Sequence, residues 1–181
     1  LQADETPVKV LREGEKGSKN GYLWAWRNVR GSPIEKVVFD FQMDRSSAAP
    51  TRFLGDWVGV LLTDGYDGVN PVAKRNEAQR AGCWSHARRK FVDALKSAKA
   101  KAGAGLVPVQ RLFWIERAIN KRAERDGLDR EALWSLRGNV RDRLSRRVLA
   151  RFYDVVLELD ADPTVAGGSK LRAAVTYAIN Q

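Results

Sequence analysis

The chain has 181 residues, 44% of them hydrophobic, enough for one large domain or a domain with an appended helical part and a buried core. Its 32 Lys and Arg against 22 Asp and Glu give a formal charge of +10, which favours a polyanionic partner but bears on association rather than fold. A lone cysteine, Cys83, excludes a disulfide framework and points to a reducing compartment; no apolar run approaches the roughly 18 residues that span a bilayer. The opening Leu1-Gln2-Ala3-Asp4 reads as neither a signal peptide nor an initiator context. A soluble, cytoplasmic protein with no membrane partner is the expectation.

The first part reads as β-rich. Ala3 to Leu11 carries Val8, Val10 and Leu11, and a turn follows through Gly14, Gly17, Ser18, Asn20 and Gly21. Pro7 cannot donate to a ladder, so a bulge or a late strand start is expected there. Tyr22-Leu23-Trp24-Ala25-Trp26 is an aromatic strand, punctuated by Gly31-Ser32-Pro33, and Val37 to Phe41 is a third strand of a meander. Asp44 to Pro50 offers capping residues and a first-turn proline, so a short helix is expected to about Asp56. Val58 to Thr63 is almost wholly apolar, as in a strand buried on both faces. Gly65 and Gly68 turn the chain after Asp64, a loop is expected near Asn70 to Asn76, and a brief strand covers Arg80 to Trp84.

From His86 the chain changes to helix. Gly103 and Gly105 are expected to break it, with a further helical segment from Val109 to Arg125. From Asp129 to Asp160 the apolar positions Leu133, Leu136, Val140, Leu144, Val148, Phe152, Val155 and Leu159 recur every three or four residues. Asp162-Pro163 and Gly167-Gly168-Ser169 mark a loop, and Lys170 to Gln181 begins another helix.

The chemistry rests on Asp4 and Asp64. Each lies within or at the end of an expected strand, and two carboxylates on neighbouring strands can hold divalent metal ions for cutting and joining phosphodiesters. The order β-β-β-α-β-(β)-α is that of a ribonuclease-H-like core, an α/β fold with a mixed sheet. By that fold analogy the first and fourth strands lie side by side and parallel, so Asp4 and Asp64 meet across about 60 residues of sequence. The plainer alternative is that each aspartate ends a strand at a turn, where Asp is common. Among other acids, Glu5 points to the opposite face from Asp4 on a regular strand, and Asp67 lies beyond the glycine turn. Glu116, Glu124 and Glu158 fall on expected helices as solvated or ion-paired residues. One cysteine and one histidine, Cys83 and His86, cannot supply the four ligands of a structural zinc site. Arg88, Arg89, Lys90 and the arginines from Arg137 to Arg151, Arg141 and Arg147 among them, either meet nucleic-acid phosphates or form a solvated face with intrahelical pairs. The six tryptophans could stack on bases, although their apolar spacing reads as core.

Three segments closely resemble the transposase of the insertion sequence sixty-six family: Ala3-Asp4-Glu5-Thr6-Pro7-Val8-Lys9-Val10-Leu11, Leu62-Thr63-Asp64-Gly65-Tyr66-Asp67-Gly68-Val69-Asn70, and Gly82-Cys83-Trp84-Ser85-His86-Ala87-Arg88-Arg89-Lys90-Phe91. Ile115-Glu116-Arg117 and the run from Lys170 look like later landmarks of the same catalytic domain. The resemblance implies a DDE-type transposase with a partial ribonuclease-H-like core over residues 1–101, and a helical insertion with the start of the following helix over 102–181. It implies Asp4 and Asp64 as the first two catalytic aspartates and metal ligands, serving two Mg²⁺ ions, with Mn²⁺ as a substitute. The third acid, a glutamate, is expected downstream, so the chain is expected to stop before the last catalytic helix. A zinc-bearing DNA-binding region is expected before Leu1. DNA is the implied partner, Arg88, Arg89, Lys90, Arg141 and Arg147 its contacts, and self-association is expected of the longer parent. The implied activity is metal-dependent DNA cleavage and strand transfer. The alternatives are an inactive DNA-binding remnant and a ribonuclease-H-like nuclease.

Overall fold

The computed structural model describes residues 1–11, 13–14, 17–28 and 34–181, and the punctuation expected at Gly31-Ser32-Pro33 lies outside them. The chain divides into two units, Leu1–Cys83 with Gln181, and Trp84–Asn180.

The first unit is a five-stranded mixed sheet with helices. Its strands are β1 (Gln2–Leu11), β2 (Ser18–Arg27), β3 (Val37–Gln42), β4 (Val60–Thr63) and β5 (Gln79–Gly82), in the order β3-β2-β1-β4-β5. The first three form the expected antiparallel meander, whereas β4 runs parallel to both β1 and β5. Alternation in β2 puts Trp24 and Trp26 on one face, each 1% exposed and stacked with centroids 5.3 Å apart. Phe53 of α1 (Ala48–Leu54) stacks on Trp26 at 4.3 Å, and Leu61, Val69 and Val72 complete this core. The opposite face carries Val37, Phe39 and Phe41, all largely exposed.

Several expectations change here. β1 has no bulge at Pro7, because its register with β2 is unbroken from Gln2 to Leu11. Leu1 exchanges its backbone bonds with β4, so odd residues of β1 turn their N–H groups to that side. The missing donor of Pro7 therefore faces away from β2, beyond the short β4, and no ladder bond is lost. β4 is not buried on both faces: Leu61 and Thr63 are buried, but Val58 and Val60 are 66% and 52% exposed. The loop expected at Asn70 to Asn76 is a helix, α2 (Asn70–Arg75), preceded by a 3₁₀ turn over Asp67–Val69. Pro71 lies in its first turn, where no intrahelical donor is needed, and Val72 and Ala73 anchor it.

The second unit is helical: α3 (Trp84–Ala94), α4 (Lys99–Arg125), α5 (Arg130–Val140), α6 (Arg146–Ala161) and α7 (Lys170–Ile179). Phe91, Leu106, Val109, Phe152, Val156, Leu171 and Val175 lie in one core built by α3, α4, α6 and α7. α3 begins at Trp84, two residues before His86, and the preceding strand ends at Gly82. α4 is not broken at Gly103 and Gly105; it runs unbroken for 27 residues, through Pro108 as well. Packing overrides local preference, because Ala102, Leu106 and Val109 put one apolar stripe into the core. Gly105 is buried where the Phe91 ring lies against the α4 backbone. Gly127, at φ 61°, ends α4 in the left-handed conformation, and the Asp129 side chain accepts from Ala132 N at 2.8 Å to start α5.

Between α5 and α6 the helix widens into one π turn over Arg141–Ser145. The extra residue carries the inward face from half-buried Val140 to buried Ser145. Leu144, expected on the apolar stripe, is 50% exposed, and Ser145 takes the buried place at 8%.

Candidate metal centre

Leu1 N donates to Val60 O at 2.9 Å, and Leu62 N donates to Leu1 O at 2.9 Å, which fixes Gln2 beside Leu62. Two residues further along this parallel register, Asp4 stands beside Asp64, just past the end of β4. One carboxylate oxygen of each lies within 4.8 Å of the other. Asp4 is exposed and has no ion-pair or hydrogen-bond partner among the described residues.

Asp64 is held by its turn. Its Oδ1 accepts from Tyr66 N at 2.9 Å, and Gly65 adopts φ 94°, a conformation that side-chain-bearing residues rarely take. Arg80 of β5 ties the turn together: it donates to Thr63 Oγ1 at 3.1 Å, to Asn70 Oδ1 and, at 3.5 Å, to Tyr66 O. The strand end, the turn and α2 thus share one guanidinium, and Asp64 lies among the segments it joins.

Glu5 occupies the covered face of β1, opposite Asp4 as expected, with a side chain only 4% exposed. Arg45 Nε donates to it at 2.7 Å. The Arg45 guanidinium also lies 4.3 Å over the Tyr66 ring, and the Tyr66 hydroxyl donates to Arg45 O. Burial pushes the Glu5 carboxyl above its ordinary value; the Arg45 hydrogen bond opposes this, while the negative charges of Asp64 and Asp4 add to it. Glu5 is therefore bound to an arginine and still lies within the field of the two aspartates.

This donor set suits a hard divalent cation. Two carboxylates within 4.8 Å repel each other unless a positive charge lies between them, and all their donors are oxygens.

The basic residues divide into paired and unpaired. Glu116 on α4 receives both Arg137, at 3.4 Å, and Arg141, at 2.7 Å, so the trio keeps one net positive charge. Lys90 lies 5.2 Å over the Tyr177 ring. Arg88, Arg89 and Arg147 are exposed and have no carboxylate partner among the described residues. His86 lies in the first turn of α3, half-buried, with Nδ1 lacking a hydrogen-bond partner among the described residues. Of the tryptophans, Trp24 and Trp26 are core, but Trp114 and Trp134 are 67% and 46% exposed, contrary to their apolar spacing.

Sequence reasoning missed Arg45, Tyr66 and Arg80. Tyr66 is the only one with a local signal, since it directly follows the glycine of the Asp64 turn. Arg45 and Arg80 reach the site through contacts 40 and 17 residues away in sequence.

The profile of the family described as "Transposase IS66 family" matches residues 1–181. Three curated proteins of Sinorhizobium fredii (strain NBRC 101917 / NGR234) are similar. The uncharacterized protein y4qI is 29% identical over 99% of this chain and 33% of its own length. The uncharacterized protein y4jD is 29% identical over 98% and 34% respectively, and y4hP is 28% identical over 88% and 33%. The chain thus spans about a third of the length of these relatives. No solved structure matches.

Proposed function

The chain belongs to the IS66 transposase family, and from that premise we propose that it is the part of a DNA transposase that carries the first two catalytic carboxylates. The observation that carries the reading is the parallel β1–β4 register, which brings Asp4 and Asp64 within 4.8 Å. The sheet order β3-β2-β1-β4-β5, with three antiparallel strands followed by two parallel ones, supports a ribonuclease-H-like core.

In this reading Asp4 and Asp64 present the metal-ligating oxygens from adjacent strand positions. Tyr66 N and the Arg80 contacts keep the Asp64 carboxylate oriented, and Arg45 holds Glu5 out of the cluster. A bound Mg²⁺ or Mn²⁺ supplies Lewis acidity towards phosphodiester oxygens and makes a water or 3′-hydroxyl a better nucleophile. A third carboxylate from elsewhere in the longer protein completes the set. Arg88, Arg89, Lys90, Arg141 and Arg147 supply positive charge for DNA phosphates, Arg141 through the surplus charge it shares with Arg137 over Glu116. The whole protein's activity is then strand cleavage at element ends and transfer of the freed 3′-hydroxyl to target DNA.

The test is gel-resolved nicking of labelled element-end DNA by a full-length protein containing this segment. Cleavage should require Mg²⁺ or Mn²⁺, and Asp4→Ala or Asp64→Ala should each abolish it while DNA binding is retained. Cleavage that survives Asp64→Ala would overturn the assignment.

A further inference from the structure

Within the helical unit, α3 and α4 flank an open cleft of about 460 Å³ lined by Ser85, Arg88, Arg89, Val92, Phe113 and Arg117. Ser85, Arg88, Arg89 and Val92 fall at i, i+3, i+4 and i+7 of α3, one helical face, and Phe113 and Arg117 are one turn apart on α4. Three guanidiniums therefore converge on one cavity. None of them has a carboxylate partner among the described residues. Seven other arginines of this unit find acids, Arg122 and Arg125 on Asp126, Arg137 and Arg141 on Glu116, Arg146 on Asp142, Arg151 on Glu158 and Arg172 on Asp160, whereas Arg111, Arg130, Arg143 and Arg147 have no carboxylate partner among the described residues. A group of like charges left unpaired in a concave site raises the local potential and favours an anion.

The cleft is not purely basic. Phe113 is half-buried, packed against the core on one side and lining the cavity on the other, with Val92 as its apolar neighbour. Phosphates alone would use the arginines and the Ser85 hydroxyl and leave this apolar floor unmatched. A stacked base pair keeps its faces inside the duplex, whereas an unpaired nucleotide offers both a phosphate and a free π-face. A volume of about 460 Å³ is in the range of small-ligand sites.

We propose that this cleft takes a nucleotide of an unpaired DNA strand, with its flanking phosphates on Arg88, Arg89 and Arg117 and its base against Phe113. The proposal rests on the DNA reading above and deepens it. It names single-stranded DNA as the form bound here and adds Phe113, Ser85 and Arg117 to the contact set.

The test is fluorescence anisotropy on the 181-residue chain with three labelled 12-mers: a single strand, the same strand with abasic sites, and its duplex. The wild type should bind the single strand most tightly and the abasic strand several-fold more weakly. The exposed triple variant Arg88→Gln, Arg89→Gln, Arg117→Gln should lower the log–log salt slope for the single strand by about 2, at roughly 0.7 for each phosphate no longer neutralised. Phe113→Leu, which keeps an apolar side chain in the core, should weaken the single strand several-fold and leave duplex binding unchanged, with folding checked by circular dichroism. Equal binding of normal and abasic strands by the wild type overturns the base contact without reference to any variant. An unchanged salt slope in the triple variant overturns the phosphate contacts. Duplex binding with no preference for the single strand would leave the DNA reading standing and remove this proposal; no binding to any of the three would remove both.

Discussion

Gly103 and Gly105 are two residues apart on α4, and the structure gives them opposite responses to the same methyl group. An alanine at Gly103 meets nothing within 4 Å among the described residues. Its effect is the helix-propensity gain alone, about 0.5–1 kcal/mol of stabilisation. An alanine at Gly105 gains the same propensity, but its Cβ would stand 2.7 Å from Cδ1 and 2.8 Å from Cζ of Phe91. Phe91 is 0% exposed and cannot retreat into solvent, so α3 and α4 must part or the ring must leave its rotamer. Such overpacking costs about 1–3 kcal/mol. The difference between the two variants cancels the propensity term, so Gly105→Ala should be less stable than Gly103→Ala by about 1–3 kcal/mol. Urea unfolding of both variants, followed by far-UV circular dichroism, reads this from the midpoints at constant slope. If Gly105→Ala were as stable as Gly103→Ala, the close approach of Phe91 to the α4 backbone would be wrong, and with it the wall-to-wall spacing of the α3–α4 cleft.

Two carboxylates should respond to pH with opposite signs. Burial raises the Glu5 carboxyl above 4.5, so its folded form holds a proton that the unfolded chain has already lost; stability is fullest below 4.5 and declines as pH rises through the raised value. Glu5→Gln should remove that decline in pH-dependent unfolding. Hydrogen bonds from Lys101 and Thr164 lower Asp162 from 3.8 to about 2, so its contribution is present above 3.8 and lost as pH falls through about 2. Asp162→Asn should remove that acid limb, and a limb that persisted would reassign it. The π turn sets a further contrast: Leu144→Glu should cost under about 1 kcal/mol, and Ser145→Glu about 2 kcal/mol or more, because it buries a charge without a partner. Thermal melts giving the reverse ranking would mean an unwidened α-helix through this segment.

The strands carrying Asp4 and Asp64 were legible as short apolar runs, but their parallel adjacency came from fold analogy, because nothing local says that the first strand lies beside the fourth. Trp24 and Trp26 were legible through alternation, which puts them on one face. The errors fall where long-range packing outweighs a local signal. Gly103, Gly105 and Pro108 each weaken a helix in isolation, yet α4 survives because its stripe of Ala102, Leu106 and Val109 is buried against partners far away in sequence. The polar, proline-bearing run Asn70 to Arg75 reads as a loop until Val72 and Ala73 are seen to be buried. A π turn leaves no sequence signature, so the exchange of Leu144 for Ser145 could not be read from periodicity. Arg45 and Arg80 look like any other surface bases in a basic chain. Only the fold shows that one holds Glu5 and the other ties the Asp64 turn to α2.

The central claim, that Asp4 and Asp64 form one metal-binding pair, is tested most directly by Mn²⁺ titration of the 181-residue chain, with free Mn²⁺ read by electron paramagnetic resonance. Wild-type protein should deplete the free signal. Asp4→Asn and Asp64→Asn should each weaken binding roughly tenfold or more, the least expected when a ligand rather than its support is removed. Asp67→Asn, whose carboxylate instead accepts from Asn70 at 3.1 Å, should bind as the wild type does. Identical titrations for the wild type, Asp4→Asn and Asp64→Asn would contradict the account.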